Sequence, residues 1–333
     1  MNNRSQFTHS CSSPRWILLG FVLLTFSWLT PAFGQSDSDR STTTKSENKK
    51  QDKQEKDKAT KRNEGEHFMR VRRDRDGKQV ALETSITRYQ LIDEDGERVT
   101  VDLIGVVHIG EKAYYEKLNE RFEQYDTLLY ELVAPEGTVI PKGGGARKGV
   151  PTNPIAAMQK GMQSALGLEF QLEHIDYTKE NFRHADMTPE EFAESMASND
   201  ESVSKYFLKA LGQSMAMQSA GGGGGDSMGM LFAMFSDNKE IRMRKMFAKQ
   251  IQNMESGMAI FKGKDGSTII DHRNAKCMKV LRSEIASGNK NLAIFYGAGH
   301  LPDMERRLMS DFQMKRGGQT WLEAWTLNDR KKK

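Results

Sequence analysis

From residue 69 onward, apolar and polar positions follow two rhythms, one of period two and one of period 3.6. Residues 80–92 (VALETSITRYQLI) alternate and are β-branched in places, which predicts a strand. Asp93-Glu94-Asp95-Gly96 is a turn signal. The next run leads into Val101-Asp102-Leu103-Ile104-Gly105-Val106-Val107, a strand that reads as buried, so the pair predicts a hairpin. Residues 111–125 have helical spacing, with Tyr114, Leu118 and Phe122 on one face, and residues 127–132 are again strand-like. Strand, helix and strand make a βαβ unit with a right-handed crossover.

Beyond Pro135 the pattern predicts a loop over residues 141–151 containing Gly143-Gly144-Gly145, a helix over 153–166 and a short strand over 171–177. Thr188-Pro189-Glu190-Glu191 is a helix start: Thr188 caps, Pro189 takes the first position and Glu191 completes a capping box. Helices are expected over 239–258, 270–285 and 301–312, with strands over 291–296 and 320–327. The fold class is α/β (mixed α+β): a central mixed sheet with flanking helices and two related halves, each carrying a strand that ends in Gly-x-x-His. Residues 211–236, rich in Met and Gly with Gly221–Gly225 unbroken, form an insertion. They read as a flexible loop between soft apolar helix ends, whose methionines (Met215, Met217, Met228, Met230, Met234) suit core or adaptable contact better than metal.

Ahead of this domain, which spans 67–329, the rhythm is lost. Residues 1–34 have basic Arg4 and Arg15, an apolar core over 16–28 and small residues at Ala32 and Gly34, the pattern of a signal peptide cleaved before Gln35. An uncleaved membrane anchor is the alternative, and membrane association is expected only in that case. Residues 35–66 hold nine basic and eight acidic residues and almost nothing apolar, so they cannot bury enough surface to offset ordering entropy; they predict a disordered polar linker. The mature chain is therefore expected outside the cytoplasm: periplasmic, in the envelope or secreted.

Charge adds an exclusion. The net charge is +4, and no basic stripe with interleaved aromatics occurs, so nucleic acid is not an expected partner. The basic tail 330–333 reads as solvated. Cleavage leaves Cys277 as the sole cysteine, so no internal disulfide can form; its apolar neighbours predict a small buried residue rather than a nucleophile.

The candidate chemistry lies where the strands end. Gly105-Val106-Val107-His108, followed by Gly110, and Gly297-Ala298-Gly299-His300 each carry an apolar strand to a histidine just before a helix. Ligands in open α/β sheets bind beyond the carboxyl ends of the strands, so both imidazoles are expected in that crevice. Gly105, Gly110, Gly297 and Gly299 are expected to supply sharp backbone turns there. Glu131, inside Leu128-Leu129-Tyr130-Glu131-Leu132, is a carboxylate in an apolar run, costly unless paired, protonated or bound to metal. His108, Glu131 and His300 together make a ligand set for a divalent metal (Mn²⁺, Co²⁺ or Zn²⁺) with an open position for water. Without metal, a histidine can act as base with Glu131 orienting it. Arg273, opening a helix in Asp271-His272-Arg273-Asn274, can hold a carboxylate or steady an oxyanion, against the alternative of a surface arginine. Asp176 and Asn274 are candidate partners behind the main set.

These elements, in this order, resemble the TraB/PrgY/GumN family, which includes the TIKI-type proteases and is distantly similar to erythromycin esterase-like and ChaN-like proteins. The resemblance spans residues 101–327. It rests on Gly105-Val106-Val107-His108, Tyr130-Glu131-Leu132, Arg273-Asn274 and Gly297-Ala298-Gly299-His300-Leu301-Pro302. It implies a site built on both histidines and the glutamate and, for some members, divalent-metal-dependent proteolysis of exported peptides. Two departures stand out: Pro302 is followed by Asp303 where relatives often carry Gly, and His272 stands where an acid commonly precedes the arginine. Three functions follow as expectations. One is an exported metal-dependent hydrolase, foremost a peptidase acting on a peptide or protein substrate. The others are a non-catalytic peptide- or envelope-ligand-binding protein and a metal-free esterase-like hydrolase.

Overall fold

The computed structural model describes residues 68–92, 96, 98–143, 154–199, 201, 238–257 and 267–328. The expected signal peptide, polar linker, Met/Gly-rich insertion 211–236 and basic tail lie outside them. In chain order the strands are β1 (Met69–Arg73), β2 (Gln79–Ile92), β3 (Arg98–Val106), β4 (Ile109–Gly110), β5 (Thr127–Tyr130), β6 (Glu169–Phe170), β7 (Phe182–His184), β8 (Asn291–Gly297) and β9 (Lys315–Thr326). The helices are α1 (Lys112–Phe122), α2 (Pro154–Leu166), α3 (Gln171–His174), α4 (Pro189–Ser198), α5 (Lys239–Gly257), α6 (Arg273–Ala286) and α7 (Leu301–Asp311).

One mixed sheet of seven strands organises the domain. Its first part is antiparallel: β2 pairs with β1, β3 and β9. The turn between β2 and β3 places Gly96 at φ 80°, where a side chain would be strained. Its second part is parallel, in the order β3-β8-β5-β7. β8 thus lies between β3 and β5, and the two histidine-bearing strands are immediate neighbours, with Val106 opposite Gly297.

The near-continuous apolar character of β3, β5 and β8 follows from covering both faces of a parallel sheet. Val101, Leu103, Leu129, Leu292, Ile294 and Tyr296 point to one face, where they meet Cys277, Met278 and Leu281 of α6 and Leu301, Met304 and Leu308 of α7. The alternate residues Ile104, Val106, Leu128, Tyr130, Ala293 and Phe295 point to the other, against Tyr114, Tyr115, Leu118 and Phe122 of α1. Cys277 is fully buried, as its neighbours predicted.

The capping box at Thr188 forms as read: Thr188 accepts from the Glu191 amide and the Glu191 carboxylate accepts from the Thr188 amide. Three expectations need correction. The strand expected over 171–177 is instead the single helical turn α3. Gln171 and Ile175 are both buried and joined by a backbone bond of 2.9 Å, a four-residue spacing that a helical turn satisfies. The closing strand starts at Lys315, not Thr320, because Gly317 and Gly318 and its polar outer positions mask the alternation of a strand paired with β2 alone. The helix expected from Ile270 opens as a π-helical turn, Thr268–His272, and is α-helical only from Arg273.

Candidate active site

The carboxyl ends of β3, β5, β7 and β8 bring together His108, Glu131, Asp186 and His300, and the first turn of α6 adds Arg273 and Asn274. Each arrives by a local cause. His108 stands two residues past β3, in a segment held by four bonds. Tyr115 Oη donates to the Val107 carbonyl at 2.9 Å, the Gln171 amide to the His108 carbonyl at 2.9 Å, Trp325 Nε1 to the Ile109 carbonyl at 2.6 Å, and the Glu111 amide to the Ala324 carbonyl at 3.0 Å. Glu131 directly follows β5, its amide bonded to the Phe295 carbonyl of β8 at 3.2 Å. His300 ends the 3-10 turn Ala298–His300 that joins β8 to α7.

Glu131 is the hub. One carboxylate oxygen accepts from Arg273 Nη2 at 2.7 Å and the other from the Gly297 amide at 2.7 Å. His300 Nε2 lies 3.5 Å from the first oxygen and 3.5 Å from Arg273 Nη1. Arg273 also donates through Nε to Asp186 at 2.9 Å and through Nη2 to its second oxygen. Asp186 is fully buried, and Arg273 and Glu131 nearly so. Burial of a charge is tolerable only with such pairing. Burial alone would raise the Glu131 carboxyl's pKa, but Arg273, His300 and His108 hold it well below the usual range, so it stays ionised. The Arg273 guanidinium is pushed up against its own desolvation by Asp186 and Glu131.

Both imidazoles are oriented by side-chain amides. Asn274 Nδ2 donates to the His300 carbonyl and to Asp303, each at 3.0 Å, so its Oδ1 is left to accept from His300 Nδ1 at 2.7 Å. Gln171 Nε2 bonds Tyr177 Oη at 2.7 Å, which leaves Oε1 for His108 Nδ1 at 2.9 Å. Each amide oxygen can only accept, so Nδ1 is the protonated nitrogen at both contacts, and Nε2 is the nitrogen left to face other groups. Burial lowers the His108 pKa below its ordinary 6.5, partly offset by Glu131, so the ring is neutral at pH 7. His300 is buried, whereas His108 is partly exposed.

The structure therefore brings together His108, Glu131, Arg273, Asn274, Gly297 and His300. It moves Asp176 away: that carboxylate closes its own turn onto Thr178 at 2.6 Å and lies 3.4 Å from Lys142. The acid behind the site is Asp186. The sequence signal for it was a carboxylate just after the short run Phe182-Arg183-His184, unread because three residues containing Arg and His do not announce a strand. Gln171 was missed for the opposite reason: it was counted within a strand over 171–177, where the chain forms a helical turn. Asp271, the acid near Arg273 in sequence, accepts instead from the Ser267 amide at 2.8 Å within the π-helical turn.

The roles of two groups become more specific. Arg273 was read as holding a carboxylate or steadying an oxyanion, against a surface arginine; it is buried and holds the carboxylates of Asp186 and Glu131, with Nη1 3.5 Å from His300 Nε2. The four glycines were expected to let the chain turn sharply and approach a substrate closely; none has a positive φ. Gly297 is a position of close approach: a Cβ there would lie 3.2 Å from Glu131 Oε2 and 3.5 Å from His108 Nε2. Gly105 lies inside β3, where a Cβ would meet Leu301 and the Phe68 carbonyl at 3.4 Å. Gly110 packs under Tyr114 and Tyr115, and Gly299 sits in the 3-10 turn.

As a metal set, His108, Glu131 and His300 fit in part. Anchoring of each Nδ1 to a carbonyl oxygen is what a ligating histidine needs. However, the three do not bring ligand atoms within 4.8 Å of one another; among the described residues Glu169, Glu173 and His174 do. Arg273 already supplies the positive charge at Glu131. Among protein-family models, curated proteins and solved structures, none matches this chain.

Proposed function

We propose that the chain is an exported hydrolase that cleaves a carbonyl substrate, peptide or ester, with His108 as general base. The observation that carries this is an imidazole that is neutral at pH 7, partly exposed, with Nδ1 fixed by Gln171 and with the ionised Glu131 acting on its charge. His108 Nε2 takes a proton from water as the water oxygen bonds to the carbonyl carbon. The imidazolium formed is stabilised by Glu131, then returns the proton to the leaving nitrogen or oxygen as its bond to carbon breaks. Glu131 acts as a charge, not as a proton shuttle, because its carboxyl lies too low to be protonated near neutrality. Arg273, braced by Asp186, holds Glu131 in place. The TraB/PrgY/GumN resemblance supports the same residues, and the signal-like residues 1–34 support export.

A second reading uses a divalent metal, and the amide anchoring of both Nδ1 atoms favours it. His108, His300 and Glu131 would hold the ion, which would supply an acidified water and polarise the carbonyl. The purified chain is assayed against peptide and ester panels. His108→Ala, Glu131→Gln and His300→Ala should each remove turnover while the fold, read by circular dichroism, survives. Wild-type turnover in all three refutes the site. Activity that survives exhaustive chelation selects the metal-free route, and activity lost to chelation and restored by Mn²⁺, Co²⁺ or Zn²⁺ selects the second. Tight peptide binding with no cleavage under any condition leaves a binding protein.

A further inference from the structure

Away from this centre, Glu169 of β6 and Glu173 and His174 of α3 turn one ligand atom each to within 4.8 Å of the others. His174 Nε2 lies 3.6 Å from Glu169 Oε2. Ligand atoms of a tetrahedral zinc, each 2.0–2.2 Å from the metal, sit about 3.4 Å apart. The groups are held there before any ion binds. The His174 ring stacks on Tyr115, centroids 6.0 Å apart and planes 4° from parallel, and its carbonyl accepts from Asn119 Nδ2 at 2.7 Å. Gln163 Nε2 bridges the two carboxylates, at 2.8 Å from Glu169 and 3.3 Å from Glu173. Among the described residues no lysine or arginine forms an ion pair with either glutamate; Lys160 Nζ reaches only Gln163 Oε1, at 3.0 Å. Two like charges converge on one imidazole and one neutral amide, an arrangement a cation relieves.

We propose that Glu169, Glu173 and His174 form a second cation site, selective for a borderline divalent transition ion such as Zn²⁺ or Co²⁺ over Mg²⁺ or Ca²⁺. Its donor set, one imidazole and two partly exposed carboxylates, suits the former; the latter favour all-oxygen shells. The three ligands bracket Gln171, the residue that fixes His108 Nδ1, and Glu169 also pairs with Gly110 across β6 and β4. A bound ion ties both ends of that segment, so it stiffens the support of His108 without touching it. This site stands whether or not the hydrolase reading holds.

Co²⁺ alone, titrated into the full metal-stripped chain, is the probe, read by visible d–d absorption and calorimetry. One equivalent should bind here, counted as the signal that His108→Ala keeps and His174→Gln loses, with intensity typical of four or five ligands. Glu173→Gln and Glu169→Gln, which keep side-chain size, should weaken it roughly tenfold or more, and His174→Gln should abolish the spectrum. His108→Ala should leave it unchanged. Absence of Co²⁺ binding overturns the proposal. So does binding that survives the three variants and disappears in His108→Ala, which would put the ion at the candidate active site.

Discussion

Asn274 grips His300 at two points: its Oδ1 accepts from the ring Nδ1 at 2.7 Å while its Nδ2 donates to the same residue's carbonyl at 3.0 Å. One side chain thus fixes both the tautomer of the imidazole and the 3-10 turn that carries it. Asn274→Ala removes both holds and leaves a buried imidazole nitrogen unpaired, costing about 1–3 kcal/mol of stability. Turnover of any substrate found should fall by roughly 10- to 100-fold in kcat with little change in KM, because the ring is misoriented rather than the substrate unbound. Urea unfolding and steady-state kinetics read the two effects separately.

Arg273 sits between Asp186 and Glu131, and its loss should cost more. Arg273→Met strands two buried carboxylates, a penalty of about 3–5 kcal/mol. Asp186→Asn in the same chain should recover part of it, since one stranded charge is then gone. A double-mutant cycle by chemical denaturation measures the coupling. Strictly additive effects would mean that the two side chains do not interact in solution.

Gly297 and Gly105 are both motif glycines, but they should respond differently to a methyl group. In Gly297→Ala the new Cβ lies 3.2 Å from Glu131 Oε2, closer than ordinary contact, and against the His108 ring. The carboxylate must shift, so activity should collapse in a folded protein. Gly105→Ala meets Leu301, the Phe68 carbonyl and Ala298 at 3.4–3.5 Å, which ordinary packing tolerates, so activity should largely persist. Parallel assays and melting curves of the two variants check the contrast.

The acid limb of kcat/KM should lie below pH 6.5, because burial lowers the His108 value and the ring must be neutral to act. Stability should fall with acid in two windows. Between pH 6.5 and the lower folded value of His108, the unfolded chain binds the extra proton. Between pH 4.5 and the still lower folded value of Glu131, the unfolded carboxylate protonates first. Both contributions are present at neutral pH and lost as pH drops. Denaturation profiles of wild type and Glu131→Gln separate them, since the variant should lack the second window.

Much of this was readable from pattern alone. The strands of the β2–β3 hairpin, β5 and β8 betrayed themselves by alternation or by unbroken apolar runs, and α1, α4, α5 and α7 by periodicity and caps. Glu131 stood out because a carboxylate in an apolar strand is costly, and the two histidines because each closes such a strand before a helix. Those are local signals, carried by neighbours in sequence. What local pattern could not decide was which partners the fold would supply. Asp186 and Gln171 follow or interrupt segments too short to show a period. Only the parallel order β3-β8-β5-β7 brings residues 108, 131, 186 and 300 to one crevice. Arg273 looked more like a surface helix residue, and only burial between two carboxylates distinguishes it. The sequence by itself therefore determined the elements and the reactive groups. The tertiary structure decided their pairing, because charge balance and hydrogen-bond satisfaction in a buried site are settled between residues far apart in the chain.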